Sequence, residues 1–298
     1  MPEIARCPIC RNAGWHDRSA FLACTHCELE VSRDHPLDAM PGQIEDALDG
    51  AGRDALSGPG WRLSAVALRN AAWRLGRSWR AGGWRREAPV AHAVVLGVIG
   101  RPQEMPVIET MMTGPGFPRA IVVLDGDGEA PQGPAGMRVS MRPLAGDFAA
   151  QRNQVQSLAQ RRCGARCWVL QLDTDERPTP ELLGRLGWMI QAADREGLRS
   201  IGLPRINLVD GARSALFPDI QYRLNRADVR FDGIVHERPV VAFAETTLGL
   251  AGAIEHRLSR ERVLERSRSY ETMRAGAGRP SDEWALLRPF DPASMAVR

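Results

Sequence analysis

Three carboxylates within four residues, Asp173, Asp175 and Glu176, close the apolar run Trp168-Val169-Leu170-Gln171-Leu172. Carboxylate oxygens suit a hard divalent cation, and Mg²⁺ or Mn²⁺ takes one or two of them and fills its shell with water and substrate phosphate. Side chains alternate along a strand, so Asp173 and Asp175 are expected on one side and Glu176 on the other. Pro178 and Pro180 follow at once, which places the acids where a strand stops and the chain turns. In open α/β sheets the carboxyl ends of the strands are where ligands bind. The plainer alternative is a solvated acidic turn.

Cysteine supplies a second chemistry. Cys7-Pro8-Ile9-Cys10 and Cys24-Thr25-His26-Cys27 are two Cys-x-x-Cys knuckles with thirteen residues between them. Each presents two thiolates, and together they complete a tetrahedral shell for Zn²⁺ with no open position, so the site is structural rather than catalytic. A segment of about 35 residues has too little core to fold alone, and a metal supplies the missing free energy. Residues 1–35 are therefore expected to form a zinc ribbon. Arginines 6, 11, 18 and 33 are offset there by Asp17, Glu28, Glu30 and Asp34, so no basic stripe supports nucleic-acid binding.

These sites need elements to position them. Residues 36–60 carry prolines, glycines and acids and read as a linker with a short helix over 43–48. Trp61, Ala65, Leu68, Ala72, Leu75 and Trp79 then recur at spacings of four and three, which predicts one amphipathic Trp/Arg helix within residues 36–88. Such a helix packs on a neighbouring domain or lies at a membrane surface. From residue 89 to 275, apolar runs alternate with helical patterns. Strands are expected over 93–99, 120–124, 137–141 and 168–172, with a helix started by Asp147 before the last of them, so the sheet is open and mainly parallel. A charged helix is expected over 260–274, and residues 276–298 read as an irregular tail. Cys163 and Cys167 read as thiols of a helix–strand loop.

Composition sets limits on function. The chain has 298 residues, 44% hydrophobic and 25% charged, with a net charge of +3, too small to argue for nucleic acid. No leader pattern starts it and no apolar run is long enough to span a bilayer, so a cytoplasmic protein is expected, with membrane association resting on the Trp/Arg helix alone. Neither Gly-x-Gly-x-x-Gly nor Gly-x-x-x-x-Gly-Lys-Ser/Thr occurs, so no dinucleotide fingerprint or P-loop accounts for the acids.

Four stretches in order carry a family resemblance: Val122-Val123-Leu124-Asp125, Gly146-Asp147-Phe148-Ala149-Ala150-Gln151-Arg152-Asn153, Trp168 to Glu176, and Asp219-Ile220-Gln221-Tyr222-Arg223-Leu224 with Phe231-Asp232-Gly233-Ile234-Val235-His236-Glu237. Over about residues 90–275 the chain resembles family-2, inverting glycosyltransferases of the α/β nucleotide-sugar-binding fold called GT-A. Within them it is similar to the subgroup of lipopolysaccharide-core glucosyltransferases and peptide S-glycosyltransferases. The resemblance implies an inverting sugar transfer from a nucleotide-sugar donor, by family habit a UDP-sugar. It also implies Asp125 at the base or ribose, Asp173 and Asp175 at the metal, and His236 beside it. Two departures stand out: Gly126-Asp127-Gly128-Glu129 follows Asp125 where Gly-Ser-x-Asp is usual, and Arg101 is followed by Pro102 and Gln103 where Asn-Glu is usual.

Such a transfer needs the leaving diphosphate neutralised and the acceptor deprotonated. Asp173 and Asp175 would hold Mn²⁺ or Mg²⁺, with Arg101, Arg152 or Arg223 adding positive charge. Glu237, in an apolar setting that would raise its pKa, is the expected base, with Asp219 and Glu176 as the other carboxylate candidates. His236 is a third metal ligand or itself a base, and His256 is a further candidate ligand. The acceptor is left open among a glycan, a peptide, a metabolite and a modified nucleic-acid base. Two other classes stand beside this reading: a zinc-ribbon binding or scaffold protein without activity, and a nucleotidyltransferase.

Overall fold

The computed structural model describes residues 6–80, 82–86 and 94–291. The amino-terminal part is a five-stranded antiparallel sheet of order β1-β2-β3-β5-β4, from β1 (Trp15–Arg18), β2 (Phe21–Cys24), β3 (Leu29–Ser32), β4 (Ala55–Gly58) and β5 (Trp61–Ser64). The knuckles are two copies of one turn. Arg11 donates its N–H to Cys7 and Glu28 to Cys24, and these two residues, each just after its knuckle, take left-handed φ angles of 66° and 58°.

The ribbon does not end at residue 35. Helix α1 (Met40–Leu48) lays Met40, Ile44 and Leu48 on the same core as the four cysteines, Leu29 and Val31. The expected helix through Trp61 to Trp79 is also cut into three. Trp61 to Ser64 pairs as β5 with buried and exposed residues alternating, and Ser64 then caps α2 (Ala65–Arg74) by accepting from the Ala67 N–H. Gly76, at φ 69°, turns the chain into a hairpin of β6 (Arg77–Arg80) and β7 (Gly83–Arg86). The helical spacing of apolar residues was thus a strand, a helix and a strand, and Ala65, the second residue of the spacing, is exposed. Trp61 and Trp84 are buried and Trp79 is partly buried against the same core, so the tryptophans behind the membrane reading pack on the protein. Among the described residues no helix is long and apolar enough to cross a membrane.

The larger part is a mixed α/β unit around a curled, partly parallel ten-stranded sheet. Its first four strands in space, β10 (Met137–Met141), β9 (Arg119–Leu124), β8 (Val95–Gly100) and β11 (Trp168–Asp173), run parallel as expected. Beyond them pairing is mixed. Strand β15 (Asp219–Arg226) is antiparallel to β11 and to β13 (Ser200–Val209), whereas β19 (Ile254–Leu258) is parallel to β13 and antiparallel to β12 (Glu176–Pro178). Short strands β14 (Ala212–Arg213) and β18 (Thr246–Leu248) also pair with β13, and β16 (Phe231–Asp232) pairs with β17 (Arg238–Pro239).

Side-chain alternation explains the layers. Leu96, Val98, Val122, Leu124, Leu170 and Leu172 face α3 (Met105–Thr113) and α5 (Pro180–Glu196), while Val95, Ile121, Val123 and Val169 face Val155 and Ala159 of α4 (Phe148–Cys163). Asp147 caps α4 by accepting from the Ala150 N–H at 2.8 Å. Gly97 lets α4 close on β8, since a Cβ there would lie 2.7 Å from Val155 Cγ1. The charged helix forms as α6 (Arg260–Met273), but the tail is not irregular throughout: Pro280 and a polar first turn start α7 (Pro280–Leu287), and Phe290 beyond it stacks with Phe217 around Arg213.

Candidate active site

Strands β8, β9 and β11 are parallel, so their carboxyl ends open on one edge of the sheet. There they deliver Arg101, Asp125, Asp173 and Asp175 to a cavity of about 330 Å³. Arg152 reaches it from α4, Arg223 from β15, and His236 and Glu237 from the loop after β16. Helix α6 closes the far wall with Arg262, Arg266 and Tyr270. Asp125 is fixed by accepting the Leu144 N–H at 2.8 Å, beside the apolar Ile99, Val123 and Leu144.

Under the cavity lies a lattice of buried charges. Asp173 accepts from Arg152 Nη2 at 2.9 Å and from Arg223 Nη2 at 2.6 Å. Arg152 also donates to Glu237, and Arg223 Nη1 lies 3.7 Å from the same carboxylate. Arg223 and Arg205 donate to Glu176 at 3.1 and 3.0 Å, and Arg205 Nε donates to Asp219 at 2.8 Å. Burial alone would push the Asp173 carboxyl up, but Arg152, Arg223 and Arg205 overcome it and hold it well below the usual carboxylate range. Asp219 is likewise held at about 2, where burial is outweighed by Arg205 with help from Asn207 and Gln221.

These contacts sort the expected residues. Glu176 is fully buried and outside the cavity lining, with its oxygens committed to two guanidiniums and to the Asp173 N–H. Asp219 is committed to Arg205, Asn207 and Gln221 and does not line the cavity either. Neither is placed to take a proton from an acceptor, because each is an anchor for arginine. Glu237 lines the cavity but is tied to Arg152.

The two aspartates also part company. Strand β11 ends at Asp173, and a turn carries Asp175 against β19, where its carbonyl accepts the Arg257 N–H at 2.9 Å. Its Oδ2 lies 3.4 Å from His256 Nε2. His236 does not make this contact: its Nε2 bonds the Ala277 carbonyl at 2.8 Å, and its ring meets Tyr270 edge-on. The carbonyl can only accept, so His236 Nε2 carries the proton and Nδ1 the lone pair. Burial pushes the His236 pKa below its ordinary 6.5, which keeps the ring neutral at pH 7. Asp173, Asp175 and His236 do not gather as a three-ligand group; among the described residues only the cysteines do.

Those four cysteines are buried, with their sulfurs within 4.8 Å of one another. Cys7–Cys27 and Cys10–Cys24 are each 3.5 Å apart. Zinc–thiolate bonds of 2.3 Å at tetrahedral angles put sulfurs about 3.8 Å apart, so the cluster could hold a metal ion such as zinc. Its core is shared with the cavity wall: Ile220 and Tyr222 of β15 line the cavity and pack against the cysteine core.

Arg205, Asn207 and Arg266 escaped the reading of the sequence, whereas Tyr270 was read as part of the charged helix. The first two had a legible signal, polar residues two apart inside the apolar run Ile201 to Leu208, which is the pattern of a strand with one polar buried face. Arg266 had none, because its relation to the acids is purely tertiary. No protein-family model matches the chain, and no curated protein matches it at a significant level.

Proposed function

We propose that the chain is a metal-dependent glycosyltransferase of GT-A architecture, moving a sugar from a nucleotide-sugar to an acceptor hydroxyl or thiol. The observation that carries this reading is the convergence of three parallel strand ends on one cavity. They bring an aspartate beside an apolar slot and two further aspartates, opposite arginines supplied by α4, β15 and α6. A sugar nucleotide offers matching parts: a base and ribose for Asp125 and its apolar neighbours, a diphosphate for cations, and a sugar between them.

The divalent ion fits Asp175 and His256 rather than Asp173. Both oxygens of Asp173 already accept from guanidiniums, whereas two ligands about 2.1 Å from one ion at right angles stand about 3.0 Å apart, close to the Asp175–His256 spacing. A bound Mn²⁺ or Mg²⁺ there supplies Lewis-acid stabilisation of the departing diphosphate. Asp173, clamped by Arg152 and Arg223, is a rigid wall. His236 Nδ1 takes the acceptor's proton, the acceptor oxygen or sulfur bonds the anomeric carbon, and the bond to the diphosphate breaks, releasing a nucleoside diphosphate. One displacement inverts the sugar carbon.

Base identity has a pH signature. A base must be unprotonated, so kcat/KM rises with pH through the pKa of the free enzyme's base. His236 predicts an acid limb below 6.5, with a plateau above, and its loss in His236→Asn. An acid limb that persists in His236→Asn and disappears in Glu237→Gln instead assigns the base to Glu237.

Thermal stability of the zinc-replete protein against a panel of nucleotide-sugars, with and without Mn²⁺, tests the whole reading, because a ligand specific to the folded state raises the midpoint. The expected result is a shift with one donor that needs Mn²⁺ and vanishes in Asp175→Asn. No shift with any sugar nucleotide sinks it. A shift with a nucleoside triphosphate, and pyrophosphate among the products, points to a nucleotidyltransferase.

A further inference from the structure

Two hydrogen bonds fix where the lone pair of His256 lies. Asn207 Nδ2 donates to Asp219 at 3.0 Å and to the Leu216 carbonyl at 3.3 Å, so Asn207 Oδ1 faces His256 Nδ1, 2.7 Å away, and must accept from it. Arginine only donates, so the bond between Arg266 Nη1 and His256 Nε2, 2.9 Å long, also makes Nε2 an acceptor.

An imidazole lone pair therefore stands 3.4 Å from the Asp175 carboxylate with no proton between them. Two acceptors at this distance repel unless a cation compensates them. In this structure that cation is Arg266, whose guanidinium also lies 5.5 Å over the Tyr270 ring and acts electrostatically on both Asp173 and Asp175.

We infer that Arg266 is a stand-in for the divalent ion: it occupies the Asp175–His256 acceptor pair until a metal takes its place, and it then turns to the donor's diphosphate. The inference rests on the proposed metal-dependent transfer and adds a residue that both opposes metal binding and supports donor binding. Helix α6 carries Arg266, so arrival of the ion frees a positive charge on the wall that closes the cavity. The order is metal first, diphosphate second.

Removing the guanidinium should then move two affinities in opposite directions. Equilibrium dialysis of the zinc-replete full chain measures Mn²⁺ alone, then inorganic pyrophosphate at saturating Mn²⁺, for wild type, Arg266→Gln and Arg266→Lys. Arg266→Gln is expected to bind Mn²⁺ about fivefold more tightly and pyrophosphate about fivefold more weakly, the size of one charge interaction at about 4 Å across water. Arg266→Lys, which keeps the charge, should stay near wild type in both. A merely structural role weakens both ligands together and overturns the inference, as does unchanged Mn²⁺ affinity in Arg266→Gln. If wild type binds Mn²⁺ and Asp175→Asn does not, the metal reading stands whatever Arg266 does. If no variant binds Mn²⁺, both fall.

Discussion

Arg223→Ala lowers the free energy of unfolding by about 3–5 kcal/mol, the cost of breaking a buried ion pair while leaving its partners in place. Arg223 is buried and touches Asp173 at 2.6 Å and Glu176 at 3.1 Å, with Glu237 at 3.7 Å. Its removal leaves Arg152 and Arg205 to neutralise four carboxylates: Asp173, Glu176, Asp219 and Glu237. The lattice makes the loss larger than any one contact, since Asp173, Glu176 and Glu237 are each shared between two arginines. Arg223→Lys keeps the charge but cannot reach three acids with a forked donor, so it falls between wild type and alanine. Urea unfolding of the three proteins checks the order. An alanine variant within about 0.5 kcal/mol of wild type, the range of surface substitutions, would mean that the lattice is not a stabilising unit.

Metal removal has an effect at least as large. Structural zinc in a four-cysteine site contributes about 10 kcal/mol or more at neutral pH, so chelation or Cys24→Ser unfolds the amino-terminal sheet. The damage should not stop there. The cysteine core includes Leu248 of β18 and packs against Ile220 and Tyr222 of β15. Arg74 donates to the carbonyls of Pro8 and Ile9, Arg6 to that of Phe217, and buried Arg69 and Asn70 bond the backbone of residues 244–248. A chelated chain is therefore expected to lose the proposed Mn²⁺ and nucleotide binding along with the ribbon, and one zinc per chain should be found before chelation. Elemental analysis and a melt with and without chelator measure this. Retained nucleotide binding in a zinc-free chain would show that the ribbon is only an appended module.

The same contacts explain how far the sequence could be read. Both knuckles were legible because a tetrahedral thiolate site is local: two residues between cysteines set one half of it, and only the meeting of the halves is tertiary. The four parallel strands were legible because a buried strand must be a continuous apolar run with turn residues at its ends. Trp168 to Asp173 is such a run, and it placed its acids at the edge where the cavity lies. Residues 61–79 misled for a physical reason. A short two-period strand followed by a capped helix reproduces spacings of three and four, and only Ser64 as a cap and Gly76 in a left-handed turn mark the boundaries.

What the sequence by itself determined was the inventory of chemistry: four thiolates paired by spacing, and aspartates at the ends of buried parallel strands. What only the tertiary structure decided was which charges face one another. Glu176, Asp219 and Asp173 look alike as carboxylates, yet three buried arginines from α4, β13 and β15 turn the first two into anchors and the third into a wall. His236 and His256 look alike as candidate ligands, yet a turn after β11 carries Asp175 to His256 on β19. The reason is range. Strand and knuckle patterns are written within a few residues, whereas the electrostatics of a site depend on groups 20 to 90 positions apart, brought within 3–4 Å by packing alone.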